Sequence, residues 1–153
     1  MVDQSKVAEV LQGLTLQYIA GFFDGEGSIT VTRDLSLQVV VSQNDEAILQ
    51  AIAQYMGTGK VSAIKTRRGH KQCYSLRWCG AKAASVLSSL LPYLILKHER
   101  AMLAIQMQSL ISPRGVEKPV DPEKWAKRES IAERIKDLND SHWSRRPVSN
   151  LIQ

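Results

Sequence analysis

The sequence predicts an α+β domain: one four-stranded antiparallel sheet with helices packed on one face. Three observations carry this. Segments with period-two alternation come in two adjacent pairs, 28–33 with 35–43 and 60–66 with 72–79. Each pair is joined by a short polar turn, near Arg33-Asp34 and at Arg67-Arg68-Gly69-His70-Lys71, so each reads as a hairpin. Helical periodicity stands before, between and after the hairpins, giving the order helix, two strands, helix, two strands, helices.

Composition fits that class. The chain has 153 residues, 44% of them hydrophobic and 23% charged, which suits one soluble domain with a real core. No apolar run reaches the ~18 residues of a membrane span, so no membrane partner is expected. Met1-Val2-Asp3-Gln4-Ser5-Lys6 has neither the basic start nor the apolar stretch of a secretory signal. Cys73 and Cys79 share one side of a strand about 20 Å apart, too far to pair or to share a zinc ion. An intracellular, reducing setting is expected. Net charge is +5, which favours an anionic partner.

Taken in order, residues 1–13 read as a polar lead with a short amphipathic segment, Val7 to Leu11. Thr15 is a candidate N-cap for a helix running to about Asp24, with Leu16, Ile19 and Phe23 on its packing side. In 35–43, Leu37, Val39 and Val41 alternate with Ser36, Gln38, Val40 and Ser42, as in a sheet with one face open. Asn44 to Met56 reads as a helix, with Asp45 and Glu46 in its first turn and Gly57 ending it. Tyr74, Leu76 and Trp78 alternate with Cys73, Ser75, Arg77 and Cys79. Ala81–Leu91 and Leu96–Leu110 read as helices on either side of Pro92. Residues 112–122 hold three prolines and a glycine and read as a loop. Asp121-Pro122-Glu123 starts a further helix carrying Trp125, Ile131, Ile135 and Leu138. The tail from Asp140 is polar and basic.

Two places do not fit a plain scaffold. Gly21 and Gly25 stand four apart on one helix face and suit the close approach of a second helix. Glu26 follows at the helix end, where carbonyls already carry partial negative charge, so a carboxylate there invites a cation. From Lys60 to His98 the chain has no acidic residue but eight Lys and Arg: Lys60, Lys65, Arg67, Arg68, Lys71, Arg77, Lys82 and Lys97. A polar sheet face rimmed by these groups fits duplex DNA, with phosphate contacts from the Lys and Arg side chains and base-edge contacts from Ser, Thr, Gln and Arg. The competing reading is a solubilised sheet whose lysines prevent edge-to-edge association.

Ile19-Ala20-Gly21-Phe22-Phe23-Asp24-Gly25-Glu26-Gly27, followed by Ser28-Ile29, resembles the signature of the LAGLIDADG homing endonucleases. Pro92-Tyr93-Leu94-Ile95-Leu96-Lys97 resembles the family's segment before the later helix, and Leu138-Asn139-Asp140-Ser141 resembles the C-terminal segment of its homodimeric chloroplast members. The resemblance spans about Leu14 to Ser141, so the chain divides into a lead (1–13), an endonuclease domain (14–141) and a basic tail (142–153). It implies the α-β-β-α-β-β-α core with a saddle-shaped sheet. One copy of the motif implies a homodimer, with Ala20, Gly21, Asp24 and Gly25 at the interface.

The resemblance also implies the site. Glu26 takes the place of the metal-binding acid, where Asp is more usual, and Gly25 gives a backbone carbonyl to the metal. Gln43 matches the polar residue near the catalytic water, and Lys97 the basic residue near the scissile phosphate. Ala47 stands where some members carry a further basic residue. Mg²⁺ is the implied cofactor, with Mn²⁺ or Ca²⁺ as substitutes for binding. Thr30, Thr32, Ser36, Gln38, Ser62, Ser75 and Arg77 are expected to read bases. Arg33, Lys60, Lys65, Arg67, Arg68, His70 and Lys71, with His142 and Arg145 in the tail, are expected to contact the DNA. The implied activity is metal-dependent hydrolysis of both strands of a long pseudo-palindromic duplex. The implied location is an organelle, chloroplast or mitochondrion, or a prokaryotic cytoplasm. Two other functions share this fold: an intron maturase, which would bind intron RNA, and a regulator that binds DNA without cutting it. Without the resemblance, Glu26 and Lys97 read as ordinary helix-end residues, and Asp24 reads as a structural hydrogen-bond acceptor.

Overall fold

The N-terminal segment is not merely a lead. Gln4–Gly13 forms a helix, α1, capped by Asp3, whose carboxylate accepts the Ser5 N–H at 2.9 Å. Its Val7 is buried, with Val2, Val10 and Leu11 packed beside it. The computed structural model describes residues 1–112 and 121–143. After α1 come α2 (Leu16–Glu26), β1 (Gly27–Val31), β2 (Leu37–Gln43), α3 (Glu46–Met56), β3 (Lys60–Ile64) and β4 (Cys73–Cys79). Then follow α4 (Gly80–Leu90), a 3₁₀ turn (Leu91–Tyr93), α5 (His98–Ser109) and α6 (Pro122–Trp143). The predicted α+β class and the single antiparallel sheet are both found.

Local chemistry sets the boundaries. Thr15 caps α2 by accepting the Tyr18 N–H at 3.1 Å. Asp45 caps α3 through the Ala47 N–H at 3.0 Å and also pairs with Lys6 of α1 at 2.6 Å, so one carboxylate ties two helices together. Gly57 ends α3 at φ 68°, a left-handed conformation that glycine adopts freely. The strands are shorter than the sequence reading. Leu35 belongs to the β1–β2 turn at φ 57°, not to β2, because its side chain folds back under the turn and is buried. The helix of Leu96–Leu110 begins only at His98, since the amides of 95–97 are used elsewhere.

The sheet order is β1-β2-β4-β3, all antiparallel. Ile29, Leu37, Val39, Val41, Leu76 and Trp78 point to one face and are buried against the helices. Among the described residues no helix covers the other face. β1 is an edge strand, and α6 lies along it, with Asn139 Nδ2 donating to the Ile29 carbonyl at 3.0 Å. The loop expected over 112–122 falls largely on residues outside those described, as does Arg145.

Candidate nucleic-acid interface and metal centre

The site grows from the end of α2. One side of this helix, Ile19, Ala20, Phe23 and Asp24, is buried in the chain's own core. The opposite side carries Tyr18, Gly21, Phe22 and Gly25, at offsets of three and four. Tyr18 and Phe22 stack there with ring centroids 6.3 Å apart. A Cβ at Gly21 or Gly25 would meet no atom within 4 Å. The open stripe is therefore Tyr18, Gly21, Phe22 and Gly25. Ala20 and Asp24, expected at a dimer interface, point the other way and are fully engaged inside the chain. The register that separates them is one helical step, which a four-residue spacing of small residues does not reveal.

Asp24 is the acceptor that organises this end. Its Oδ2 accepts the N–H groups of Ile95 at 2.7 Å and Leu96 at 3.1 Å, and its Oδ1 accepts that of Lys97 at 3.0 Å. Three consecutive amides converging on one carboxylate form an anion nest. The clamp brings Lys97, 73 residues away in sequence, onto α2. Its ammonium then donates to the Asp24 carbonyl and lies 5.9 Å from the centre of the Phe23 ring. Lys97 is 8% exposed. Burial holds its pKa below the ordinary lysine value, the nearby Arg100 charge pushes the same way, and Asp24 and Glu26 oppose both.

Glu26 is the last residue of α2 rather than the first beyond it, and it is exposed. The Phe23 carbonyl accepts the Gly27 N–H and the Asp24 carbonyl accepts Lys97. The exposed Glu26 carboxylate and the Gly25 carbonyl thus sit in one turn, beside the buried Lys97 ammonium. Gly27 makes the tight exit into β1, since a Cβ there would overlap the Phe23 ring and carbonyl. Gly27 pairs with Val41, and Gln43 lies two residues further along β2, at the same end of the hairpin as Glu26. The Gln43 Oε1 accepts the Asn44 N–H at 2.7 Å, which leaves its NH₂ to donate.

Among the described residues no group of three His, Cys, Asp or Glu could hold a metal by itself. A single carboxylate and carbonyl per chain suits a hard cation whose remaining oxygens come from a second copy, a phosphate or water.

The helix-free sheet face begins at this end. Its rows follow from the register: Ser28 and Thr30 on β1; Gln38, Val40 and Ser42 on β2; Cys73, Ser75, Arg77 and Cys79 on β4; Lys60, Ser62 and Ile64 on β3. Of the expected base-reading residues, Thr30, Gln38, Ser62 and Arg77 lie on these rows. Ser75 lies there too but is only 7% exposed, flanked by Ser42 and Ser62 on the neighbouring strands. Thr32 and Ser36 are in the β1–β2 turn, where both hydroxyls donate to Asp34. These bonds hold the Asp34 carboxyl below the usual carboxylate range. Arg33, Lys60, Lys65, Arg67, Arg68, His70 and Lys71 are all exposed. Lys60 and Arg77 stand directly opposite each other on β3 and β4, a like-charge pair that costs energy without an anion above it. Ser28, Val40 and Ile64 share the face though the sequence reading did not single them out; strand parity alone would have found them.

A family model described as "LAGLIDADG-like domain" matches residues 13–91, just over half the chain. The chain belongs to the LAGLIDADG family. No curated protein sequence matches it. Among solved structures, this LAGLIDADG chain resembles homing endonuclease I-CvuI in complex with its target in the presence of calcium. The TM-score is 0.65 and the identity 23%, over 90% of this chain and 86% of that one. It also resembles an archaeal intron-encoded homing endonuclease, I-Vdi141I, complexed with DNA, at a TM-score of 0.63 and 17% identity, covering 80% and 82%. A third, the homing endonuclease I-TnaI, gives 0.55 and 21%, covering 84% and 97%. At these identities the likeness establishes the LAGLIDADG fold. Among the described residues no helix is long and apolar enough to cross a membrane.

Proposed function

We propose that this protein is a site-specific endonuclease that binds double-stranded DNA on its open sheet face as a homodimer and hydrolyses both strands. The observation that carries this is the clamping of Lys97 onto the last turn of α2, the turn that ends in Glu26, next to a sheet face whose rim is basic. The open stripe of α2 gives a second copy room to approach until two Glu26 carboxylates stand side by side. The relatives solved with DNA support the partner.

Glu26 and the Gly25 carbonyl would hold Mg²⁺, with Mn²⁺ or Ca²⁺ able to replace it in binding. Such an ion, when bound, polarises a phosphate and makes a bound water more acidic. The chain's own groups do the rest. Lys97 presents a desolvated positive charge whose backbone is fixed by the Asp24 nest and whose ammonium is held by the Asp24 carbonyl, so it is preorganised toward negative charge growing on a phosphate. Gln43 offers amide hydrogens to orient a water and cannot take its proton. The Lys60–Arg77 pair and the exposed basic turn between β3 and β4 neutralise phosphates.

Cleavage of a randomised duplex library by purified protein with Mg²⁺ tests the proposal. Defined cut sites should appear, and Glu26→Gln should abolish cutting while duplex binding persists. Equal cutting by Glu26→Gln would remove Glu26 from the metal site.

A further inference from the structure

The β1–β2 turn is held from outside the sheet. Residues 32–36 close through the Thr32 N–H to the Ser36 carbonyl and the Leu35 N–H to the Thr32 carbonyl, both 3.0 Å. Leu35 stands at φ 57°, the one non-glycine residue with positive φ among those described. An L side chain resists that conformation, so the surroundings must impose it. Two contacts do so. The Leu35 side chain is buried, and its carbonyl accepts Arg128 Nη2 of α6 at 2.8 Å. The Arg128 guanidinium lies over the Trp125 ring, 5.1 Å from its centre. Among the described residues its buried Nε has no hydrogen-bond partner, a cost that a simple packing residue would avoid. Further along α6, Asn139 grips the Ile29 carbonyl on β1 and accepts Arg100 Nη1 at 3.0 Å. Arg128 and Asn139 are about 16 Å apart along the helix. α6 therefore holds the first hairpin at its edge strand and at its tip.

We infer that Arg128 is a positioning residue for DNA sequence reading, acting through the Leu35 carbonyl to fix the turn that carries Thr32, Arg33 and Ser36. This rests on the endonuclease reading above. Arg128 is spent on the Leu35 carbonyl and the Trp125 ring, so it acts on the turn and not on a base. It sets the direction from which Arg33 and its neighbours reach the groove. A flexible turn would still meet phosphates, so its loss is felt in base discrimination rather than in total affinity.

The test uses the full chain with Arg128→Met, which keeps the stem, and Arg128→Lys, which restores one donor. Amide exchange comes first and needs no DNA. At Leu35 and Ser36, Arg128→Met should exchange at least about tenfold faster, Arg128→Lys should recover part of this, and the β2–β4 amides should not change. Base preference is then read from selection on randomised duplexes. Arg33→Ala marks the base pairs that the turn reads. Arg128→Met should lower discrimination about tenfold at those same base pairs and leave the others unchanged. Unaltered exchange at the turn overturns the inference, and so does a uniform loss across all base pairs, which would make Arg128 mere packing. If the parent protein selects no sequence, the endonuclease reading fails and the reading role falls with it; exchange then still reports whether the clamp on Leu35 exists.

Discussion

Replacing Asp24 separates the roles of support and chemistry at the end of α2. In the parent, one carboxylate satisfies three amides, two on Oδ2 and one on Oδ1. Asp24→Asn keeps the shape but has one accepting atom. Its oxygen goes to the Ile95 and Leu96 amides, and its NH₂ then faces the Lys97 N–H, donor against donor. One charge-assisted bond is lost and two become neutral. At about 1.5–3 kcal/mol for a bond to a charged group and about 1 kcal/mol for a neutral one, the cost is about 2.5–7 kcal/mol. That is a large part of the roughly 5–15 kcal/mol a domain has. Urea denaturation gives the stability change, and single-turnover cleavage of a selected duplex gives the chemical rate. Because Lys97 is placed by the same nest, the rate should fall at least about tenfold, and added Mg²⁺ should not restore it. A stability change under about 0.5 kcal/mol would refute the nest as the anchor of Lys97. Full rescue by Mg²⁺ would instead make Asp24 a metal ligand.

Other outcomes follow from the same geometry. Lys97→Met should cut about 100-fold more slowly, as loss of one stabilising donor does, while the fold is as stable as the parent or about 1 kcal/mol more so. The sign comes from the lowered pKa: between its folded value and 10.5 the unfolded chain holds the proton more tightly, so parent stability climbs as pH rises through that window. Denaturation across alkaline pH should show the climb in the parent and not in Lys97→Met. Gly27→Ala should cost about 1–3 kcal/mol by thermal melting, because its Cβ would overlap the Phe23 ring. Gly21→Leu should leave the melting of the monomer near that of the parent, since nothing in the chain stands within 4 Å, but prevent a dimer in sedimentation. A surviving dimer would move the interface off α2.

The sheet and most helix starts were legible because their signals are local. Period-two alternation found all four strands, and Thr15 as N-cap came from the residue itself. The strand ends were harder. Thr32 to Ser36 continues the alternation in sequence, and only the left-handed Leu35 breaks it. α1 was underread because a single residue, Val7, is fully buried on it. At the site, the motif pointed to Glu26 and Lys97, and parity pointed to the open face. What joins them was not legible. The amides on Asp24 come from 71 to 73 residues away, and the Arg128 donor reaches back 93 residues. Such contacts leave no periodic trace in a sequence.

The opposed Lys60 and Arg77 give the sheet two contrary responses to salt. Unbound, their repulsion works against the β3–β4 pairing, so added salt screens it and makes the free fold slightly firmer. With a phosphate lying over them the same charges are an attraction, and added salt weakens it. The molecule is therefore at its least comfortable alone in dilute buffer, where its hold on a polyanion is greatest.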